Sequence, residues 1–206
     1  MSTERPSLVT LGSTVSAAER IVAWLKPELL GDAPDQVKMV ERHIGQFSSP
    51  EDVKRYLSGR DGCIRLAALR VRDIHHQSGG MVGLVTWAAY VMTTDAWAYG
   101  RDLRAEVMVS KVARRLTHPG AAKNLGAESK ATDMTADNIY SGSLDSLGVT
   151  IWTVTWNQAF RLDEEVDITT LPDFLRLGMT VSAHGGEEIN GLINVREQND
   201  DEKETD

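Results

Sequence analysis

The chain is poor in cysteine. Cys63 is the one thiol among 206 residues, so no intrachain disulfide can form and the thiol count gives no argument for secretion. Long apolar runs are also missing: none approaches the ~18 residues needed to cross a membrane. The opening MSTERPSLVTLG, with Glu4 and Arg5, lacks the continuous apolar stretch of a signal peptide. These features predict folding in a cytoplasm and no membrane partner. Basic residues are outnumbered, 22 Lys and Arg against 30 Asp and Glu, which gives a net charge of −8 and a pI near 5.2. An acidic surface repels phosphate and argues against a groove-filling or sequence-reading nucleic-acid binder. It is compatible with a wall past which DNA slides without sticking. No GxxxxGK[ST], CxxC or HExxH motif occurs, and no internal repeat.

What is present is an ordinary globular composition, 41% hydrophobic and 25% charged, long enough for one domain with a real core. The strongest element signal is Gly148 to Leu162, GVTIWTVTWNQAFRL. Trp152, Val154, Trp156 and Phe160 fall at steps of two or four and form a candidate core face, with Ile151, Thr153, Thr155 and Asn157 on the wetter face. Upstream, Cys63–Ile74 and Met81–Thr93 read as two long strands, joined by the polar connection Asp73–Gly80. The second is apolar on both sides and reads as a central strand.

Thr94–Gly100 is a short loop carrying Trp97 and Tyr99. Arg101–Leu116 follows as an amphipathic helix whose candidate core residues include Val109, Val112 and Leu116. Nearer the start, residues 1–11 read as a flexible arm. A helix capped by Ser13 or Thr14 comes next, with Pro27 expected to kink or restart it. Gln36–Glu41 reads as a short strand and Ser49–Asp52 as a helix start. Residues 121–137 read as a polar loop. Leu171–Val181 and Ile189–Val195 read as a final hairpin turning at His184–Gly186, and 197–206 as a disordered acidic tail. The reading is a single domain over 12–196, with 163–195 as an added hairpin.

The lead-in NIYSGSLDSLGV running into the W-x-V-x-W strand, together with the upstream strand, aromatic loop and helix GLVTWAAYVMTTDAWAYGRDLRAEVMVSKVARRL, resembles the Mu-like prophage tail proteins of the tail-terminator type. The chain looks like a distant relative of the terminators of lambda-type long-tailed phages. The resemblance covers roughly residues 12–196 and lies in element order and composition. The chain is longer than the smallest terminators, and 121–137 and 163–195 look like additions. The resemblance implies an α+β fold, with a mixed, mostly antiparallel β-sheet flanked by helices. It also implies a homo-hexameric ring at the head-proximal end of a virion tail. Such a ring stops growth of the tail tube, offers a docking surface to the head–tail connector or neck protein, and lets genomic DNA pass through its lumen. The expected partners are therefore the chain itself, the tail tube protein and the connector, and no cofactor is expected. Another head–tail connector or tail-completion adaptor is an alternative, as is a small Cys/His-dependent enzyme.

The residues that could carry chemistry are few. His75 and His76 are adjacent in the polar connection; side by side they point apart, and no ligand cluster accompanies them. They read as a solvated pair able to reach a partner. Cys63 reads as a small core residue or, failing that, a nucleophile. Asp163, Glu164 and Glu165 read as a solvated run and not as a spaced acid–base pair. Trp97 and Tyr99 are either caps on the core or anchors for another subunit, since large aromatics dominate interface hot spots.

Overall fold

The computed structural model describes residues 7–47, 53, 56–57, 62–139 and 141–163, and the backbone of 176–181 and 189–194. The chain divides into two compact units, Met1–Glu164 and Glu165–Asp206. In the second unit, β6 (Arg176–Val181) pairs antiparallel with β7 (Ile189–Asn194), so both arms of the expected final hairpin are strands. Its expected turn at His184–Gly186 and the expected tail at 197–206 lie outside the described residues.

The first unit is built on an open five-stranded sheet of order β1-β2-β3-β5-β4. Its strands are β1 (Val40–Arg42), β2 (Cys63–Gln77), β3 (Gly80–Thr93), β4 (Thr132–Asn138) and β5 (Thr150–Arg161). β1 runs parallel to β2 and every other pairing is antiparallel, so the sheet is mixed and mostly antiparallel, in an α+β fold. The helices are α1 (Thr14–Leu29), α2 (Arg101–Thr117), α3 (Ala121–Leu125) and α4 (Gly142–Ser146).

Local chemistry explains most boundaries. The Ser13 hydroxyl accepts from the Val15 amide, and Ser16 closes a capping box. α1 runs through Pro27 to Leu29 without restarting. The proline sits in the last turn, where few further hydrogen bonds remain to be lost. The polar connection Asp73–Gly80 is not a loop. β2 continues to Gln77, and a two-residue turn at Ser78–Gly79, with φ of 50° and 75°, starts β3 at once. From Arg72 to Gln77 the β2 arm is exposed on both faces, so polar residues there are compatible with strand. The strand expected at Gln36–Glu41 is shifted: β1 is Val40–Arg42, while Val37 makes a single bridge to Leu30. The helix start expected at Ser49–Asp52 lies outside the described residues.

The stretch 121–137, expected as a polar loop, instead holds α3 and the edge strand β4. α3 ends at Gly126 in the left-handed region, and β4 pairs with β5 from Thr132↔Asn157 to Asn138↔Trp152. Six of its seven residues are exposed, which is why no apolar alternation marks the strand in the sequence.

Two cores flank the sheet. The larger lies beneath α1 and α2 and gathers Leu25, Leu66, Trp87, Met108, Val154 and Trp156 among others. Val109, Val112, Leu116 and Phe160 belong to it, as predicted. Trp87 packs on Trp156 at 6.4 Å between ring centres and edge-on to Phe160 at 5.6 Å. Trp152 only borders this core and is half-buried. Gln158, fully buried, accepts from the Trp156 indole at 3.3 Å and donates to the Ser129 carbonyl at 3.0 Å. The opposite face is drier than predicted at one end. There Cys63, Tyr90, Met92, Leu144 and Ile151 form the second core, with Phe47 and Leu57 against it.

α1 and α2 lie antiparallel. Arg115, near the end of α2, stacks its guanidinium 3.6 Å from the Trp24 ring centre and donates to the Trp24 carbonyl at 3.0 Å. The Trp24 indole donates back to the Arg115 carbonyl at 2.9 Å. Nearer the start of α1, Arg20 donates to the carbonyl of Leu125 in α3 at 2.7 Å. Past the end of α1, Asp35 pairs with Lys111 and the Pro34 carbonyl accepts from Arg104 at 2.8 Å. The start of α2 therefore lies beyond the C-terminal end of α1.

Among the described residues, the sheet has unpaired margins at β4 and along β2 beyond its three-residue pairing with β1. Neither is a smooth template for strand addition. Register shifts interrupt β2 between Ala68 and Arg70 and between Arg72 and His75, and β4 between Thr132 and Thr135. Bulges of this kind blunt an exposed edge. Contacts with other chains are better sought in side-chain surfaces.

Candidate interaction surface

The segment between β3 and α2 is a tight elbow. The Ala96 and Tyr99 backbones exchange hydrogen bonds, Tyr99 N–H to Ala96 carbonyl at 2.9 Å and Ala96 N–H to Tyr99 carbonyl at 3.2 Å. Trp97 and Ala98 occupy the two central positions with φ of 59° and 62°. This is the pattern of a turn that normally employs Asn-Gly. A non-glycine residue in the left-handed region costs roughly 1–2 kcal/mol. Two successive ones persist only where the surroundings hold them, and such strain concentrates at functional positions. The Asp95 side chain accepts from the Arg101 amide at 2.8 Å, tying the elbow to the first residue of α2.

The consequence is that Trp97 and Tyr99 point outward, 58% and 50% exposed. They do not cap the core. They continue into an apolar strip on the outer face of α2, where Leu103 is 55% and Val107 40% exposed. Between Tyr99, Leu103, Val107 and Pro34 lies a shallow groove of about 250 Å³, with Asp35 and Arg104 at its sides. That volume falls below the roughly 300–1,000 Å³ of small-molecule sites and suits a few aliphatic side chains.

Arg104 holds the groove together. It is 3% exposed, and its guanidinium donates to three backbone carbonyls: Pro34 at 2.8 Å, Thr94 at 2.5 Å and Gln36 at 3.2 Å. One planar fork thus joins the elbow to the segment after α1. Lys111 bonds the Asp35 carboxylate and holds it below the ordinary carboxylate range, the hydrogen bond outweighing the opposing effect of burial. Both polar walls are engaged within the unit, so the exposed floor is apolar.

Sequence reasoning found Trp97 and Tyr99 and missed Leu103, Val107, Pro34 and Arg104. Leu103 and Val107 sit four apart in the helix, off the buried face. This spacing of exposed aliphatic residues was the available signal.

His75 and His76 are not part of this surface. His75 pairs with Val82 near the start of β3, whereas the elbow follows Thr93 at its end, about 35 Å away along the strand. Both imidazoles are exposed. The His75 ring bonds the Asp73 carbonyl at 2.7 Å and the Gln77 side chain at 3.2 Å; the carbonyl bond is the main cause of a pKa above the usual value of 6.5. Cys63 is fully buried, with its thiol 3.3 Å from the Tyr56 carbonyl and 3.8 Å from the Met92 sulfur. Among the described residues, no three His, Cys, Asp or Glu side chains converge on a point where a metal ion would fit. No described helix is long and apolar enough to cross a membrane.

Comparison of the sequence with protein-family models and with curated proteins finds no match.

Proposed function

We propose that this chain is a non-enzymatic structural protein of a phage tail, a terminator-like subunit. It assembles into a homo-hexameric ring that caps the tail tube, stops its polymerisation and presents a docking surface to the head connector, with genomic DNA passing through the lumen. The assignment to tails rests on the sequence resemblance. The observation that carries the assembly role is the strained, outward-facing Trp97–Ala98 turn, continuous with the exposed strip Tyr99, Leu103 and Val107. A monomer gains nothing from spending backbone strain to expose a tryptophan. An assembly subunit gains an aromatic anchor of the type that dominates interfaces. The surplus of acid over base supports a lumen that repels phosphate. The bulged sheet margins favour a contact made by side chains over a continuous inter-subunit sheet.

The reading is tested by light scattering on the full chain, alone and with tail tube protein. Six chains of 22.7 kDa give a particle of about 136 kDa. Trp97→Ala should abolish that particle and leave the melting temperature nearly unchanged. A chain that stays monomeric both alone and with tube protein would count against the reading.

A further inference from the structure

A second apolar surface lies at the other end of the unit. Ahead of the Ser13 cap, Leu8, Val9 and Leu11 are 86%, 68% and 60% exposed. Three large aliphatic side chains within four residues are thus left largely uncovered by the described residues. The groove at Tyr99, Leu103, Val107 and Pro34 is likewise open. Both surfaces are present once per chain, both are apolar, and the groove is of a size to take a few aliphatic side chains.

The arm cannot fill the groove of its own chain. α1 has 16 residues and spans about 24 Å. The arm joins its N-terminal end, and the groove lies past its C-terminal end, because Asp35 pairs with Lys111 and Pro34 with Arg104 beyond Leu29. Leu8 lies five residues before Ser13 and reaches at most about 17 Å from it, and Leu11 about 7 Å. The shortfall holds even for a fully extended arm.

We infer that residues 8–11 of one copy occupy the Tyr99–Leu103–Val107 groove of the next. This deepens the ring reading and rests on it. The contact joins two different surfaces, so each copy offers one arm and one groove. A head-to-tail contact of this kind closes into a ring where the rotation between copies permits and otherwise grows without limit. The groove's charged neighbours are already engaged within the unit, Asp35 with Lys111 and Arg104 with three carbonyls, which suits an uncharged segment such as Leu-Val-Thr-Leu.

The test uses two full-length variants. One carries Leu8→Asp, Val9→Asp and Leu11→Asp; the other carries Leu103→Asp and Val107→Asp. All five positions are exposed, so thermal melts should match the wild type, and deletion of residues 1–11 serves as a second arm variant. Association is followed by sedimentation, with and without tail tube protein. Each variant alone should associate at least ten-fold more weakly than wild type. An equimolar mixture should give a discrete dimer and nothing larger, because it contains one intact arm and one intact groove per pair. Wild-type assembly that neither variant disturbs would overturn the arm contact and leave the ring standing. Assembly lost in the groove variant and kept in both arm variants would give the groove to another occupant and overturn the inference. Failure of the wild type to assemble under either condition would remove the ring reading and the arm contact together.

Discussion

Replacing Arg104 tests how the elbow is held. Its side chain is buried on α2, and its guanidinium bonds the carbonyls of Pro34, Thr94 and Gln36. A hydrogen bond to a charged group contributes about 1.5–3 kcal/mol, and a buried carbonyl left without a donor costs about 1–3 kcal/mol. The three bonds share one group and do not add in full. Removing the guanidinium also ends the cost of keeping a charge out of water. The net loss for Arg104→Ala is therefore about 3–5 kcal/mol, the range found when one partner of a buried charged interaction is removed. Arg104→Lys keeps the charge but not the planar fork, so it should retain only part of this, losing about 2–3 kcal/mol. Urea denaturation is the assay. With a slope of about 2 kcal/mol per molar, the alanine midpoint should fall by about 2 M and the lysine midpoint by about 1 M. An alanine variant within about 0.5 kcal/mol of wild type would refute the view that this fork ties the elbow to the segment after α1.

Four further outcomes follow from the same geometry. Trp156→Ala empties a fully buried site against Trp87 and should cost about 3–5 kcal/mol; Trp152→Ala, at a half-buried position, should cost no more than about 2 kcal/mol, both read by denaturant melts. Ala98→Gly should raise stability by about 1 kcal/mol, since glycine takes the left-handed backbone without strain. Gly62→Ala should be strongly destabilising, because φ is +88° and the added Cβ would run into the Met92 carbonyl; failure to lower the melting temperature would contradict the placement of this turn. His75 should titrate above 6.5 by NMR, because its folded pKa is raised by the bond to the Asp73 carbonyl. Its contribution to stability is then fully present below 6.5 and is lost as the pH rises through the folded value.

Much of this fold was legible because periodicity was strong. The alternation of Val154, Trp156 and Phe160 placed β5, and the apolar face of Val109, Val112 and Leu116 placed α2. β3 reads as central because it is apolar on both sides, and it lies between β2 and β5. The two strand segments read as loops share one cause: where solvent covers both faces of a strand, nothing selects an apolar pattern. The polar ends of β2 and β4 therefore read as loops, although the ladder with a neighbouring strand fixes their backbones. Trp97 and Tyr99 were visible as aromatics, but their outward direction was not. That direction depends on two successive left-handed residues, Trp97 and Ala98, which carry no signal in residues that normally avoid this conformation. Arg104 was hidden for a similar reason. A charged residue on a helix reads as solvated until its three carbonyl partners, one from the preceding elbow and two from the segment after α1, are brought around it.

The most direct test of the account is negative-stain microscopy of phage tails assembled with and without this chain. Tubes of uncontrolled length are expected without it and a single fixed length with it, with Trp97→Ala behaving as the absence. Tails of normal length in all three cases, joined to heads as usual, would contradict it.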